Sequence, residues 1–243
     1  MTEIVDQQIL QETQDRLSCA LGRSLSMQET QLLLLHLRYV LEANETVNLT
    51  SIIDEEEGLL LHVEDSLTAL QEIENVSGGK LVDLGSGGGF PGIPLAITTG
   101  RHTTLIEATR KKASVVEGFI RDNGMSDKIV VVAKRIEEYS SITRECFTVA
   151  VARALAPLSS LMELAAPLLV HNGTLIAYKG NLSDDEIRKA REAEDILGMK
   201  MSGSRKFLLS DGKTQRELVL FKKTKEPGVE LPRRNGKAQQ RPY

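Results

Sequence analysis

Residues 80–97 read KLVDLGSGGGFPGIPLAI, and the order of residue types specifies a strand, a turn and a helix. Leu81, Val82 and Leu84 form an apolar run of the length of a buried strand. Gly85, Gly87, Gly88 and Gly89 then remove side chains from the turn, so that a ligand can reach the backbone. Glycines after a strand can also mark only a tight bend. Four glycines in five positions weigh against that. Two ligand classes compete for such a turn. Gly87, Gly89 and Gly92 spell the dinucleotide pattern G-x-G-x-x-G, but it starts three residues past Leu84, and Pro91 stands where the helix should open. In the other register Gly85-x-Gly87-x-Gly89 follows Asp83 directly. A carboxylate at the strand tip repels a pyrophosphate and suits a ligand carrying an ammonium and a sulfonium, which describes S-adenosylmethionine. Glu107 follows 22 residues after Gly85, at the end of the next apolar run, where a carboxylate can accept both hydroxyls of a ribose.

Outward from the turn, strand and helix alternate, which implies parallel strands joined by right-handed crossovers. Strands are expected over 80–84, 103–107, 129–133, 147–151 and 174–179, and an antiparallel hairpin over 205–209 and 217–222 closes the sheet. Helices are expected over 93–98, 111–123, 159–170 and 184–197, the last with Ser183 and Glu186 as a capping box. This is an α/β, Rossmann-like fold of the S-adenosylmethionine-dependent methyltransferase kind: a mostly parallel seven-stranded sheet with a terminal antiparallel hairpin. It occupies residues 76–223. Residues 1–75 form an N-terminal helical extension, with helices over 3–20, 27–43 behind a Ser26/Glu29 capping box, and 54–73. Asn48-Leu49-Thr50 reads as a turn. His62 and Asp65 share a helical face, where a hydrogen bond can orient that helix against the next domain. Residues 224–243, with three prolines and no apolar periodicity, read as an extended basic tail that orders on a partner.

The composition is that of an ordinary globular protein, 41% hydrophobic and 26% charged over 243 residues. Aromatics at 4%, with no Trp, argue against a broad base-stacking platform. Cys19 and Cys146 form no metal or redox motif, the scattered histidines suggest no metal site, and no signal peptide or membrane-length apolar run is evident. A cytoplasmic, monomeric protein without a membrane partner is expected. The net charge of −4 hides a gradient. Residues 1–75 carry 3 basic against 15 acidic side chains, and residues 200–243 carry 12 against 4. The basic end suits a polyanion, although most charge runs are simply solvated faces.

In doubly wound sheets ligands lie at the carboxyl ends of the strands. That rule selects Asp83 through Phe90, Glu107, the segment 135–137, Arg153 and Lys179. Ile136 is placed to cover a face of adenine, with Glu137 at its edge or capping the following helix. Arg153 stands where a methyl acceptor approaches, able to hold a phosphate or the cofactor carboxylate, or to form a structural ion pair.

Asn48-Leu49-Thr50, His62 with Asp65-Ser66-Leu67, the block 81–97, Arg153-Ala154, Lys179-Gly180 and the tail Pro232-Arg233-Arg234 with Gly236 together resemble the bacterial ribosomal RNA small-subunit methyltransferase G family, also called glucose-inhibited division protein B. The resemblance implies methyl transfer from S-adenosylmethionine to N7 of guanine 527, in the 530 loop of 16S ribosomal RNA, as naked RNA or in the small ribosomal subunit. It puts the family's cofactor residues on Gly85, Phe90, Ile136, Glu137 and Arg153, beside Asp83, Gly87, Gly89 and Glu107 from the turn itself. Arg153 and Lys179 become positioning candidates. Asn48, His62, Arg233, Arg234, Lys237 and Arg241 become candidates for RNA contact. The chain departs from the family at Val63-Glu64, at Glu107-Ala108-Thr109 and at Asn235, Ala238 and Gln240.

Methylation of guanine N7 uses a ring lone pair and releases no proton, so no general base is required. Alignment of the reactants alone can contribute ~7 to 11 kcal/mol. The chain carries no D/N-P-P-Y/F motif for an exocyclic amine and no Pro-Cys nucleophile for C5 chemistry. The alternatives are a methyltransferase acting on another RNA or a small molecule, a non-catalytic RNA-binding assembly factor and, more distantly, a nicotinamide-dependent oxidoreductase.

Overall fold

A computed structural model describes residues 5–243. Seven strands form one sheet: β1 (Lys80–Leu84), β2 (Thr103–Ile106), β3 (Ile129–Val132), β4 (Phe147–Arg153), β5 (Leu169–Lys179), β6 (Met199–Leu208) and β7 (Gln215–Lys223). Their order is β3-β2-β1-β4-β5-β7-β6. The first five are parallel, and β7 and β6 close the edge antiparallel, as the alternation of the sequence implies. Strand order reverses between β1 and β4, so the carboxyl ends at Leu84 and Arg153 flank the crevice where ligands of such sheets lie.

Both faces of the sheet are covered, which is why the central strands read as continuous apolar runs. Along β4 and β5, Ala150, Ala152, Leu175 and Ala177 join one core with Leu161, Met162 and Ala190. Those residues belong to helices α9 (Leu158–Ala165) and α10 (Asp184–Leu197). The alternate residues Val149, Val151, Ile176 and Tyr178 enter a second core with Leu33, Leu37, Val63 and Leu67. The N-terminal helices α1 (Gln7–Leu21) and α2 (Met27–Asn44), together with the segment around residue 63, are therefore the second layer over the sheet rather than an appendage. The Ser26/Glu29 capping box is present. Of the helix expected over 3–20, residues 3 and 4 lie outside the described residues.

Three segments differ from the sequence reading. The helix expected over 54–73 is broken into α3 (Glu55–Gly58), a π-helical turn (Leu59–Glu64), α4 (Asp65–Leu67) and α5 (Leu70–Glu74). Its apolar stripe is uninterrupted, and tertiary contacts to Arg153 accompany the widened turn. The helix expected over 159–170 stops at Ala165, and β5 begins at Leu169. An apolar run does not separate buried helix from buried strand. Inside β5 the register with β4 shifts at Asn172, at φ 65, and Gly173, where a Cβ would lie 2.9 Å from the Val170 carbonyl oxygen.

The third difference is the C-terminal tail. Residues 224–243 are not extended: the segment folds back on α9, burying Leu231 and Ala238 and forming a short helix, α11 (Lys237–Gln240). Backbone carbonyls hold it, with Arg144 donating to the Leu231 oxygen at 2.5 Å and the Ser160 hydroxyl donating to the Ala238 oxygen at 2.8 Å. A few scattered apolar residues among many charged ones make no periodic pattern, so this docking leaves no signal in the sequence.

Candidate functional site

The glycine turn is fixed from beneath. Gly85, Gly87 and Gly89 adopt φ values of 76, 55 and 92, a region that side chains disfavour. Asp83 lies under the turn, fully buried, and its Oδ2 accepts the Gly92 N–H at 2.8 Å. The strand-tip carboxylate that sequence reasoning offers to the ligand thus pins the following helix, α6 (Gly92–Thr99). Burial raises its pKa to about 7 against the pull of the Gly92 hydrogen bond. A Cβ on Gly92 would fall 2.2 Å from Leu105 Cδ2 and 2.7 Å from Asp83 Oδ2, so only glycine lets α6 approach the sheet this closely.

His36, from α2, completes the underside. Its Nε2–H donates to the Gly88 carbonyl at 2.9 Å, and its ring lies 4.3 Å from Phe90 and 4.9 Å from Phe119. Complete burial lowers its pKa to about 3, so the ring is neutral at physiological pH. The sequence reads His36 only as one of the scattered histidines that suggest no metal site. A histidine on the apolar stripe of a leucine-rich helix carries no local sign of a partner fifty-two positions away.

A cavity of about 790 Å3 opens above the turn, lined by Gly85, Ser86, Gly87, Phe90 and Glu107 on one side and by His62, Asp65, Arg153, Lys179 and Arg216 on the other. Glu107 accepts the Gly87 N–H through Oε2 at 3.0 Å and the Thr109 N–H through Oε1 at 2.7 Å. Arg153 is tied to the π-helical turn. Its Nη1 donates to the Leu61 carbonyl at 2.9 Å and to Asp65 Oδ2 at 3.1 Å, and its Nη2 donates to His62 Nδ1 at 3.3 Å. Accepting at Nδ1 puts the proton of His62 on Nε2, which donates to the Thr50 hydroxyl at 2.8 Å. Burial, with the charge of Arg153, lowers the His62 pKa to about 4. The neutral ring stacks on Phe90, 4.6 Å between centroids and 13° apart in plane. His62 and Asp65 orient their segment through Arg153, which both of them bond.

Asp65 also takes Arg216 Nε on its other oxygen at 3.2 Å, so one buried carboxylate holds two guanidiniums at the rim. Arg216, from β7, was not among the sequence candidates, because a charged residue in a hairpin strand reads as solvated. Lys179 donates to the Ala156 carbonyl at 2.9 Å and pairs with Glu186 Oε1 at 2.6 Å. Glu186 does not close the expected capping box: Ser183 accepts the Glu186 N–H, but the carboxylate turns away to Lys179 and the Leu158 N–H.

Ile136 and Glu137 open α8 (Ile136–Ile142) and border a second cavity of about 250 Å3 that shares Gly85, Glu107 and Leu155 with the first. Of the RNA candidates, Asn48 is exposed next to Leu49 and Thr50, which line the larger cavity. The turn there is built by Asn44, whose Oδ1 accepts the Leu49 and Thr50 N–H groups at 2.7 and 3.0 Å. Arg234 and Arg241 are exposed, and Lys237 is half-buried. Arg233 is not free for phosphate. It forms a two-pronged ion pair with the buried Glu163 and lies over the Tyr243 ring at 4.1 Å.

The family model described as rRNA small subunit methyltransferase G matches residues 29–219. The chain belongs to that family. It is 34% identical over 223 residues to the ribosomal RNA small subunit methyltransferase G of Lactobacillus acidophilus, covering 90% of this chain and 92% of that protein. It is 33% identical over 224 residues to the protein of the same name from Carboxydothermus hydrogenoformans, covering 91% and 94%. Among solved structures, an O-methyltransferase from Bacillus cereus in complex with SAH aligns with a TM-score of 0.55 at 18% identity, covering 86% of this chain and 96% of that one. That likeness carries the fold.

As a methyltransferase of this family, the chain uses a methyl donor, and the crevice at the strand ends is the candidate site for it. The turn presents bare backbone at Gly87, where a Cβ would meet nothing within 4 Å. The Ser86 hydroxyl, buried and without a protein partner, borders the same cavity. Glu107 stands at the junction of the two chambers, and Arg153, from β4, lines the larger one. No helix of the described residues is long and apolar enough to cross a membrane.

Proposed function

We propose that this protein transfers the methyl group of S-adenosylmethionine to N7 of guanine 527, in the 530 loop of 16S ribosomal RNA. One observation supports the choice of atom: Asp65, His62 and Lys179, which line the cavity opposite the glycine turn, are already committed. Both oxygens of Asp65 bind guanidiniums, both nitrogens of His62 are in hydrogen bonds, and Lys179 is paired with Glu186. A reaction that removes a proton from an amine or hydroxyl would need one of them free. S-adenosylmethionine supplies, when bound, a methyl group on a cationic sulfur, and N7 takes it with a lone pair while no proton is lost.

The chain's part is then to bind and align. Gly85 to Gly89 admit the cofactor to the backbone, and Glu107 accepts the ribose hydroxyls with the lone pairs left by its two backbone donors. Ile136 covers the adenine and Glu137 lies at its edge. Arg153 holds the cofactor carboxylate, its own direction fixed by Asp65, His62 and Leu61. Lys179 and Arg216 border the opening through which the guanine enters, and Arg234, Lys237 and Arg241 meet phosphates along the RNA. Asp83 acts beneath the cofactor, through the position of α6.

The test is transfer of labelled methyl from S-adenosylmethionine to 16S RNA lacking the modification, offered naked and in small subunits, with the product nucleoside identified by mass spectrometry. N7-methylguanosine at a single site is expected. Incorporation at another atom, or none while the cofactor demonstrably binds, overturns the assignment.

A further inference from the structure

The smaller cavity has a wall that lies outside the residues matched by the family model. Gln239 lines it, beside Ile136, Glu137 and Glu107. The residue is brought there by the contacts that dock the tail. Ala238 is buried against α9 with its carbonyl held by Ser160, which leaves its neighbour Gln239 on the cavity side. Gly236, at φ 76, donates its N–H to Glu137 Oε1 at 2.6 Å, and Asn235 donates to Glu138 Oε1 at 2.6 Å. The tail is thus bonded to the very helix that supplies Ile136 and Glu137. The carboxamide of Gln239 has no hydrogen-bond partner among the described residues.

An adenine edge offers an amine donor beside a ring-nitrogen acceptor, and a carboxamide offers the complementary acceptor and donor in one plane. One oxygen of Glu137 is already taken by Gly236, and a carboxylate cannot donate to a ring nitrogen. We infer that the C-terminal tail is a wall of the cofactor site and that Gln239 reads the adenine edge. This rests on the larger crevice being the S-adenosylmethionine site.

Calorimetric titration of the full-length protein with S-adenosylhomocysteine, and with the purine analogue in which hydrogen replaces the exocyclic amine, tests it without RNA and without turnover. The wild type should prefer the adenine compound. Gln239→Ala should bind it roughly tenfold more weakly and lose most of that preference, since a bidentate pair to a base discriminates on about this scale. Gln240→Ala, whose side chain borders the outer cavity of the tail instead, should change neither value. Gln239→Ala with wild-type affinity and preference overturns the inference while leaving the cofactor site in place. Failure of the wild type to bind S-adenosylhomocysteine removes the site reading itself, and the inference with it.

Discussion

The glycine turn and the C-terminal tail border the same crevice, and they are held by opposite means. The turn is held by the absence of atoms: α6 lies so close to the sheet that the first carbon of a side chain at Gly92 would overlap Leu105 and Asp83. The tail is held by contacts laid over two helices, Arg233 on Glu163, Ser160 on the Ala238 carbonyl and Gly236 on Glu137, with Leu231 and Ala238 buried beneath. Close packing inside a core has no cheap relaxation. A terminal strap held by a few contacts can open locally while the domain stays folded. The two regions should therefore fail in different ways.

The largest effect belongs to the turn. Gly92→Ala should cost about 3 kcal/mol of global stability, at the upper end of what overpacking does, because strand β2 and the Asp83 side chain both bound the space. Denaturant titration measures it. A loss below about 1 kcal/mol would mean that α6 shifts freely and that the turn is no more rigid than the tail.

The underside of the turn also predicts a pH dependence of mixed sign. Asp83 has a folded pKa of about 7 against 3.8 for the free side chain, so between those values the folded state holds a proton that the unfolded state has lost. Its contribution to stability is full below pH 4 and is lost as pH rises through 7. His36 and His62, lowered from 6.5 to about 3 and about 4, act the other way and lose their contribution as pH falls below 6.5. Asp83→Asn should remove only the first slope, at most about 1.4 kcal/mol per pH unit, and so steepen the net rise of stability between pH 4 and 6.5. Unfolding free energies across that range check it. A profile parallel to the wild type would show that Asp83 is ionised in the fold.

These two regions also mark what was legible in the sequence. The parallel sheet, its closing hairpin and the glycine turn are written in local runs, and the strand-end rule alone brings Glu107, Arg153 and Ile136 to one crevice. Asp83 was legible as a position but not as a role, because nothing local says whether a strand-tip carboxylate faces out or under. His36, Arg216 and Gln239 were silent, each acting on a partner far away in sequence. The tail misled for a related reason. Its charge and prolines describe a solvated segment, while its docking depends on Leu231 and Ala238 meeting a surface that exists only after α9 has packed.

The smallest effect separates two neighbouring arginines of that tail. Arg233 has its guanidinium on a buried carboxylate and an aromatic ring, whereas Arg234 is exposed. Only a charge free to meet phosphate releases counterions. Arg234→Ala should therefore weaken RNA binding roughly three- to fivefold near 0.1 M salt and flatten the salt dependence by about one unit, with the melting temperature unchanged. Arg233→Ala leaves Glu163 unpaired, but the tail can peel away and let water reach it. The cost to the domain should stay near 1 kcal/mol, well below that of a permanently buried lone charge. What changes is the tail: limited proteolysis beyond Glu230 should accelerate while the remaining core resists. Filter binding across a salt series, run beside the proteolysis, distinguishes the pair. Equal salt slopes for both variants would show that Arg233 leaves Glu163 when RNA arrives, and the tail would then be a phosphate clamp along its whole length rather than a docked wall with a basic outer edge.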